Sequence, residues 1–587
     1  MRHRSASDQH LPVRLPAMSD SAVKEIQEKL IQLGFTLLGK ADGVAGSRTL
    51  LAVRDFQSYA RMDRIARVRA NAAAGRWVDR LEPVANGLAA DKRPQINGNI
   101  ADELTVKAIQ YWVDERYRCP VVVEVREFVN SNRVPRFEPG LENVWAYDDP
   151  RIAAYRNLIR AGKDPGGGKA RDPSFDFRVC DFTAAAAPSI DWANMPSLGV
   201  RDYYLGYFGG AGKKRTHLRD DMEVTPISAT GKTFGQLDWQ RPVFQVVRAV
   251  AEQECLGFFD ALNGYDNAFM SLGPCHWTLA IGPASPPRNM SRKADAGELP
   301  ATLAFAIGRD RSIQDHYLTP YGVKPAGTWA ANGKGTDFDI SFQETRNYGG
   351  HLEWLGTADP KIRRVADLSW FRTTHWYRRF LELVRGSEAF RHAQWDMARM
   401  RLRDVLATPL GGTGTYKAFA LGQLFTSQLA AALLLRLHVR YSAATLPGAR
   451  PWIGKAVDLA RVTGEPSGWT DAQEERLIQA LIAHSVRISH TLKQLGLDKL
   501  SREPTRAELL DALTKVPATE RKVLPGGMQA VAAWPDVQRF QAFNYNLEAD
   551  AWKDAQGRRT PLSHKRGTFT DAYTRLVSDT SLPQPVA

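Results

Sequence analysis

With 587 residues the chain exceeds the size at which one hydrophobic core keeps growing, so two or more folded units are expected. Hydrophobic residues at 43% and charged residues at 24% exclude a disordered, collagen-like or low-complexity chain. The formal charge of +14 suits an anionic partner, whether nucleic acid, acidic lipid or wall polymer, but no dense Lys/Arg block chooses among them.

Residues 1–20 carry basic side chains without the apolar core of about 7–15 residues that a secretory signal requires. A flexible N-terminus is expected there, and synthesis in the cytoplasm without a standard signal peptide. From Ser21 the apolar positions Val23, Ile26, Leu30 and Leu33 recur three and four apart and stop at Gly34, which predicts an amphipathic helix. After the turn Asp42-Gly43, with Ser47 as cap, Thr49, Ala52, Val53 and Phe56 predict a second helix. A helical hairpin this short needs a third element to close its core. A looser copy supplies it: Asn97-Gly98, Thr105, Ala108, Ile109 and Trp112 repeat the spacing of Asp42-Gly43, Thr49, Ala52, Val53 and Phe56 with one extra residue.

The run V-x-x-I-Q-x-x-L-x-x-L-G-F followed by D-G-V-A-G-x-x-T-x-x-A-V-x-x-F-Q, from Val23 to Gln57, resembles the peptidoglycan-binding domain-1 family. The resemblance implies a three-helix wall-binding module, assigned to 21–128, and peptidoglycan as partner. Modules of this kind are usually fused to wall-cleaving enzymes.

Residues 129–237 read as a partly structured connecting region, interrupted by Pro135, Pro139, Pro165-Gly166-Gly167-Gly168 and Gly209-Gly210-Ala211-Gly212. Lys213-Lys214 after the last glycines do not make a phosphate loop, because Tyr207 stands where its first glycine belongs. Over 238–545 helical periodicity dominates, with helices predicted at 243–256, 370–385, 387–407, 416–441, 472–495 and 506–514. The Ala/Leu-rich run Leu424–Leu437 is broken by Ser427, Gln428 and Arg436 and reads as a buried helix, not a membrane span. Residues 546–587, rich in Gly, Pro, Ser and Thr, read as a C-terminal tail.

The helix beginning near Asp238 carries the apolar stripe Val243, Val246, Val247 and Val250, which continues by four to Glu254. Glu254 is therefore expected on the buried face, whereas Glu252 shares its side with Gln245 and Arg248. A carboxyl unpaired in an apolar wall tends to stay protonated, the state a glycosidase acid needs. The competing reading is a salt bridge from Glu254 to an arginine, as a core strut. Behind it, Asn263-Gly264 and Gly273-Pro274 bracket a short alternating strand, which predicts one small β-hairpin. The segment A-E-Q-E-C-L-G-F-F-D-A-L-N-G-Y-D-N-A-F-M-S-L-G-P-C-H-W, through Trp277, resembles a divergent group of bacterial and phage muramidases of the lysozyme superfamily.

That resemblance implies a lysozyme-like α+β domain in a mainly α chain, with Glu254 as general acid, Asp266 positioning water or stabilising the transition state, and Ser271 helping to hold the water. Glu252 is the alternative acid and Asp260 the reserve carboxylate. Tyr265, His276 and Trp277 are expected along the saccharide groove, with core packing an equal reading for Trp277. The implied reaction is hydrolysis between N-acetylmuramic acid and N-acetylglucosamine, with lytic transglycosylation or an inactive wall-docking protein as alternatives. No cofactor or metal is expected: no H-E-x-x-H occurs, and the pair His351 and Glu353 reads as a loop detail. The four cysteines, Cys119, Cys180, Cys255 and Cys275, are too few for a disulfide scaffold, although Cys255 and Cys275 could meet. An enzyme of this kind would act in the periplasm or wall as an exported antibacterial effector, with a secretion apparatus and immunity protein as partners, or as an endolysin. Neither a nucleic-acid partner nor a membrane span is expected.

Overall fold

The computed structural model describes residues 18–35, 38–73, 80–129, 134–137, 175–181, 189–191, 239–255, 257–263, 268–282, 292–327, 350–355, 360–372, 374–412, 414–440, 452–485, 552–553, 559–560 and 562–582. These residues are mainly helical, with several small antiparallel sheets.

The N-terminal module holds α1 (Asp20–Gln32), α2 (Ser47–Ala60) and α3 (Glu103–Asp114). Ser19 caps α1 by accepting from the Ala22 N–H, and Asp102 caps α3 by accepting from Thr105. The expected stripes face inward, and Phe35, Phe56 and Trp112 meet at their centre, with ring centroids 5.6 Å apart for Phe35–Phe56 and 5.2 Å for Phe56–Trp112. Between α2 and α3 the chain inserts strands β1 (Arg64–Val68) and β2 (Leu81–Ala85), which form a three-stranded sheet with β3 (Tyr117–Arg118), order β2-β1-β3. The helix expected within the stretch from Asn97 to Trp112 is present as α3, and a sheet separates it from α2.

The strand β4 (Val121–Val129) leads into a second sheet with β5 (Val134–Phe137), β6 (Phe175–Asp181) and β7 (Ser189–Asp191), order β5-β4-β6-β7. Part of the expected connecting region is therefore a sheet, a tally of strands that the Pro/Gly interruptions conceal.

The larger body is built on α4 (Gln240–Cys255), followed by three short strands, β8 (Leu262–Asn263), β9 (Ser271–Leu272) and β10 (Trp277–Thr278), with β9 in the middle. The predicted hairpin is present and has a third strand. Beyond β11 (Ala280–Ile281) and β12 (Asp295–Ala296) come α5 (Glu298–Arg309) and α6 (Ser312–Tyr317), neither of which periodicity had indicated. Strands β13 (Val323–Pro325), β14 (Leu352–Trp354) and β15 (Lys361–Ile362) form one further sheet.

Helices α7 (Val365–Ser369), α8 (Thr374–Gly386), α9 (Glu388–Ala407), α10 (Gln428–Arg440), α11 (Trp452–Ala460) and α12 (Asp471–Ser485) complete the body. The expected helix over 416–441 is split into a short turn, Leu421–Leu424, and the helix from Gln428, and at the break Glu474 from α12 accepts the Ser427 N–H and the Thr426 N–H and hydroxyl. α9 is buried on nearly all sides between α4, α5 and α10. The predicted helix 506–514 lies outside the described residues.

The C-terminal stretch is corrected from a tail to a packed element. α13 (Thr570–Val577) presents Ala572 and Leu576 to the core behind Phe569, a spacing of three and four hidden by the polar composition around it. Arg566 donates to Glu474 at 2.7 Å and Arg399 on α9 donates to Asp579 at 2.9 Å, so residues 562–582 close over the body.

Candidate functional site

The module's turns are held by a glutamine clasp that occurs twice. On α1 the buried Gln27 accepts the Gly43 N–H at 2.8 Å and donates to Asp42, the Val44 carbonyl and the Thr49 hydroxyl. On α2 the buried Gln57 accepts the Gly98 N–H at 2.8 Å and donates to Asn97 and the Thr105 hydroxyl. One glutamine thus pins the glycine turn and the first turn of the next helix, and α2 serves as the second helix of one copy and the first of the other.

In the larger body, Val243, Val246, Val247 and Val250 are wholly buried, and the stripe delivers Glu254 to the last turn of α4 with its side chain 10% exposed. The carboxylate is not unpaired. Arg436 of α10 donates to Oε1, and Nδ1 of His276 stands 3.3 Å from Oε2. The pairing comes from a helix 182 residues away, so the periodicity of α4 could not show it. The salt-bridge reading of Glu254 is the one the geometry displays. Arg436 was missed as a site residue; its signal was its place as the lone cation inside the Ala/Leu-rich run.

His276 reaches the carboxylate from the turn between β9 and β10. Its N–H donates to the Gly273 carbonyl at 3.0 Å and its φ is 51°, a left-handed conformation uncommon for a residue with a Cβ. Its side chain is 24% exposed, more than that of Glu254. Ser271 lies buried in the central strand, opposite Asn263 and Thr278. Trp277 is wholly buried with the Arg401 guanidinium 5.6 Å from its ring, so core packing, not the open groove, is its place. Asp260 is buried and paired with Arg385 at 3.1 Å. Asp266 and Tyr265 lie outside the described residues, as do the side chains of Glu252 and Cys255.

Beneath the hairpin runs a second buried charge line. Arg401 donates to Glu298 at 2.8 Å and, through Nε, to Nδ1 of His438 at 2.9 Å. Burial raises the Glu298 carboxyl against the pull of Arg401, and burial together with Arg401 holds His438 well below the usual imidazole range, so the imidazole is neutral and accepts. Cys275 is a free buried thiol pushed up to about 12 by burial, which makes it a poor nucleophile. Among the described residues no group of three or more His, Cys, Asp or Glu converges as metal ligands would, and no helix is long and apolar enough to cross a membrane.

Glu254, His276 and Arg436 therefore form a carboxylate–imidazole–guanidinium cluster between the end of α4, the hairpin and α10. Such a cluster can exchange a proton with a bound oxygen and hold charge of either sign while it does so.

Residues 19–63, from the start of α1 to just before β1, match the peptidoglycan binding domain family. No curated protein and no solved structure matches the chain.

Proposed function

We propose that this chain is a wall-associated glycosidase that hydrolyses the bond between N-acetylmuramic acid and N-acetylglucosamine. The peptidoglycan-binding domain at 19–63 associates it with the cell wall. The observation that supports cutting is Glu254 at the end of a buried helix, one-tenth exposed and faced by a histidine on the hairpin that follows. A carboxyl there donates to the leaving oxygen, while Asp266 and Ser271 orient the attacking water.

Action in the periplasm or wall fits either an exported effector with an immunity protein or an endolysin. Lytic transglycosylation of the same bond remains the chemical alternative, and the product ends separate the two. On purified peptidoglycan the chain is expected to release fragments with reducing muramic acid ends, whereas anhydro ends would establish the transglycosylase. Glu254→Gln is expected to lower release by about 10²-fold or more. Release undiminished in that variant would remove Glu254 from the chemistry. The Arg436–Glu254 ion pair favours one second reading, a docking protein in which the pair is only a strut; no release by the parent chain would select it.

A further inference from the structure

Arg436 poses a difficulty for a general acid. Its guanidinium occupies Oε1, which leaves Oε2 as the oxygen that can take up and deliver a proton. The group that faces Oε2 is on the other side of the same carboxylate. Nδ1 of His276 lies 3.3 Å from Oε2, and Arg436 bonds Oε1, so the imidazole and the guanidinium take different oxygens. The imidazole is the more exposed of the pair, 24% against 10%, and so is the one that solvent reaches. Its turn holds the left-handed φ of 51°, which orients the ring toward Glu254; a non-glycine residue kept in that region is a local cost the surrounding strands sustain.

We infer, on the footing of the glycosidase reading, that His276 is a proton-relay residue positioned by Glu254, and that the dyad rather than Glu254 alone stores the catalytic proton. At rest the proton sits on the imidazole and the carboxylate is paired with Arg436. When substrate binds, the imidazolium Nδ1–H passes its proton to Oε2, and the carboxyl so formed delivers that proton to the glycosidic oxygen. The bond from the anomeric carbon to that oxygen breaks, and its electron pair stays on the leaving oxygen, now a hydroxyl. Water then adds its oxygen to the anomeric carbon, and the proton it releases returns through the carboxylate to the imidazole. Arg436 stays charged throughout and holds Glu254 in place. No further reactant is required.

Among the described residues, the following ionisable groups lie around the dyad. Arg436 of α10 lies behind the carboxylate, and Cys275 precedes His276 in its turn; the Arg401–Glu298 pair of α9 and α5 lies beyond Cys275 and acts on its thiol. None but His276 ordinarily changes charge near neutrality. Activity should therefore be present where the dyad carries its proton and fall as pH rises through the dyad's apparent pKa.

The test uses the full chain with His276→Gly, which the left-handed backbone accepts without strain, and His276→Asn, which keeps a hydrogen-bond donor but cannot ionise. Both are expected to keep the parental melting temperature and KM within a small factor. The kcat of each is expected to fall by about 10²-fold and the alkaline limb of the pH profile to disappear. Added imidazole should restore His276→Gly but not His276→Asn. A parental kcat in His276→Gly, or a loss that imidazole cannot restore with the alkaline limb unmoved, overturns the relay. One arm does not depend on turnover: in chain labelled with ¹⁵N-histidine, the His276 imidazole pKa is expected to drop by about one unit in Glu254→Gln. No drop overturns the dyad even if Glu254 proves to be the acid. A parent chain that releases no glycan fragments overturns the glycosidase reading instead, and the relay with it.

Discussion

At the scale of single residues, the two glutamine clasps make the same bonds in different surroundings. Gln27 and Gln57 are both buried, and each accepts a turn glycine's N–H at 2.8 Å. Truncation to alanine leaves that N–H and a threonine hydroxyl short of a partner, so Gln27→Ala and Gln57→Ala are each expected to cost about 2 kcal/mol in urea unfolding. A loss in one and none in the other would show that the clasps are not equivalent. The glycines they hold differ. Gly43 has φ 77° and a Cβ built on it falls 2.7 Å from the Asp20 carbonyl oxygen, which is backbone and cannot swing away. Gly98 has φ 71°, but its nearest neighbour is the Arg54 side chain at 3.0 Å, a contact that a shift of a few tenths of an ångström relieves. Gly98→Ala should therefore cost only the left-handed backbone term of about 1–2 kcal/mol, and Gly43→Ala clearly more. Equal melting temperatures for the two variants would contradict this.

At the scale of elements, α2 does more than close the module, because its outer face is buried against α8. Asp55 lies wholly inside that contact, 3.7 Å from Arg379 and 4.0 Å from the His375 ring. Burial pushes its carboxyl up to about 7 from an ordinary 3.8, against the pull of Arg379, Trp370 and Arg54. Between those two values the folded chain keeps a proton that the unfolded chain has released, so rising pH weakens folding until about 7, after which the loss is complete. His375 acts in the opposite sense. Burial and Arg379 hold it well below 6.5, so the stability it contributes disappears as pH falls beneath that value. Asp55→Asn isolates the first effect: the melting temperature of the parent relative to the variant should decline as pH rises from about 4 to about 7. A constant difference would mean that Asp55 does not titrate there. Much of this level was legible in the sequence and some was not, for a physical reason. The stripes of α1, α2, α3 and α4, the repeat ending at Trp112 and the strand at Ser271 rest on neighbours within one or two turns, which periodicity records. The partners of Asp55, Glu254 and Asp260 come from α8 and α10, more than a hundred residues away in sequence, and although Arg436 stands out in its apolar run, nothing near the carboxylates says which arginine each one meets. The same blindness turned Ala572 and Leu576 into a tail, because their apolar stripe is too short to stand out from its polar flanks.

At the scale of the whole molecule, the N-terminal module, among the described residues, is docked as part of one core and is not a separate anchor on a tether. A single hydrophobic cluster runs from Val23 through Trp376 to Leu582. Across the contact, the Tyr59 hydroxyl bonds Nδ1 of His375 at 2.7 Å, Arg54 reaches Asp367 at 3.4 Å, and the Arg379 guanidinium lies 5.0 Å from the ring of Tyr59 and 3.9 Å from that of Tyr321. Separating the two bodies would expose the aromatic rings and leave buried charges without their surroundings, a cost far above that of loosening a flexible linker. The N-terminal module and the Glu254 cluster are consequently held at fixed relative positions. Cooperative unfolding is the measurable consequence. Hydrogen exchange followed by mass spectrometry in increasing urea should give peptides from α1 and α2 the same opening free energy and denaturant slope as peptides from α9. Tyr59→Phe, which leaves a buried imidazole nitrogen without its partner, should lower protection in both bodies together by about 1–3 kcal/mol. Loss of protection confined to α1 and α2 would show that the module opens on its own and that the docking does not couple the two.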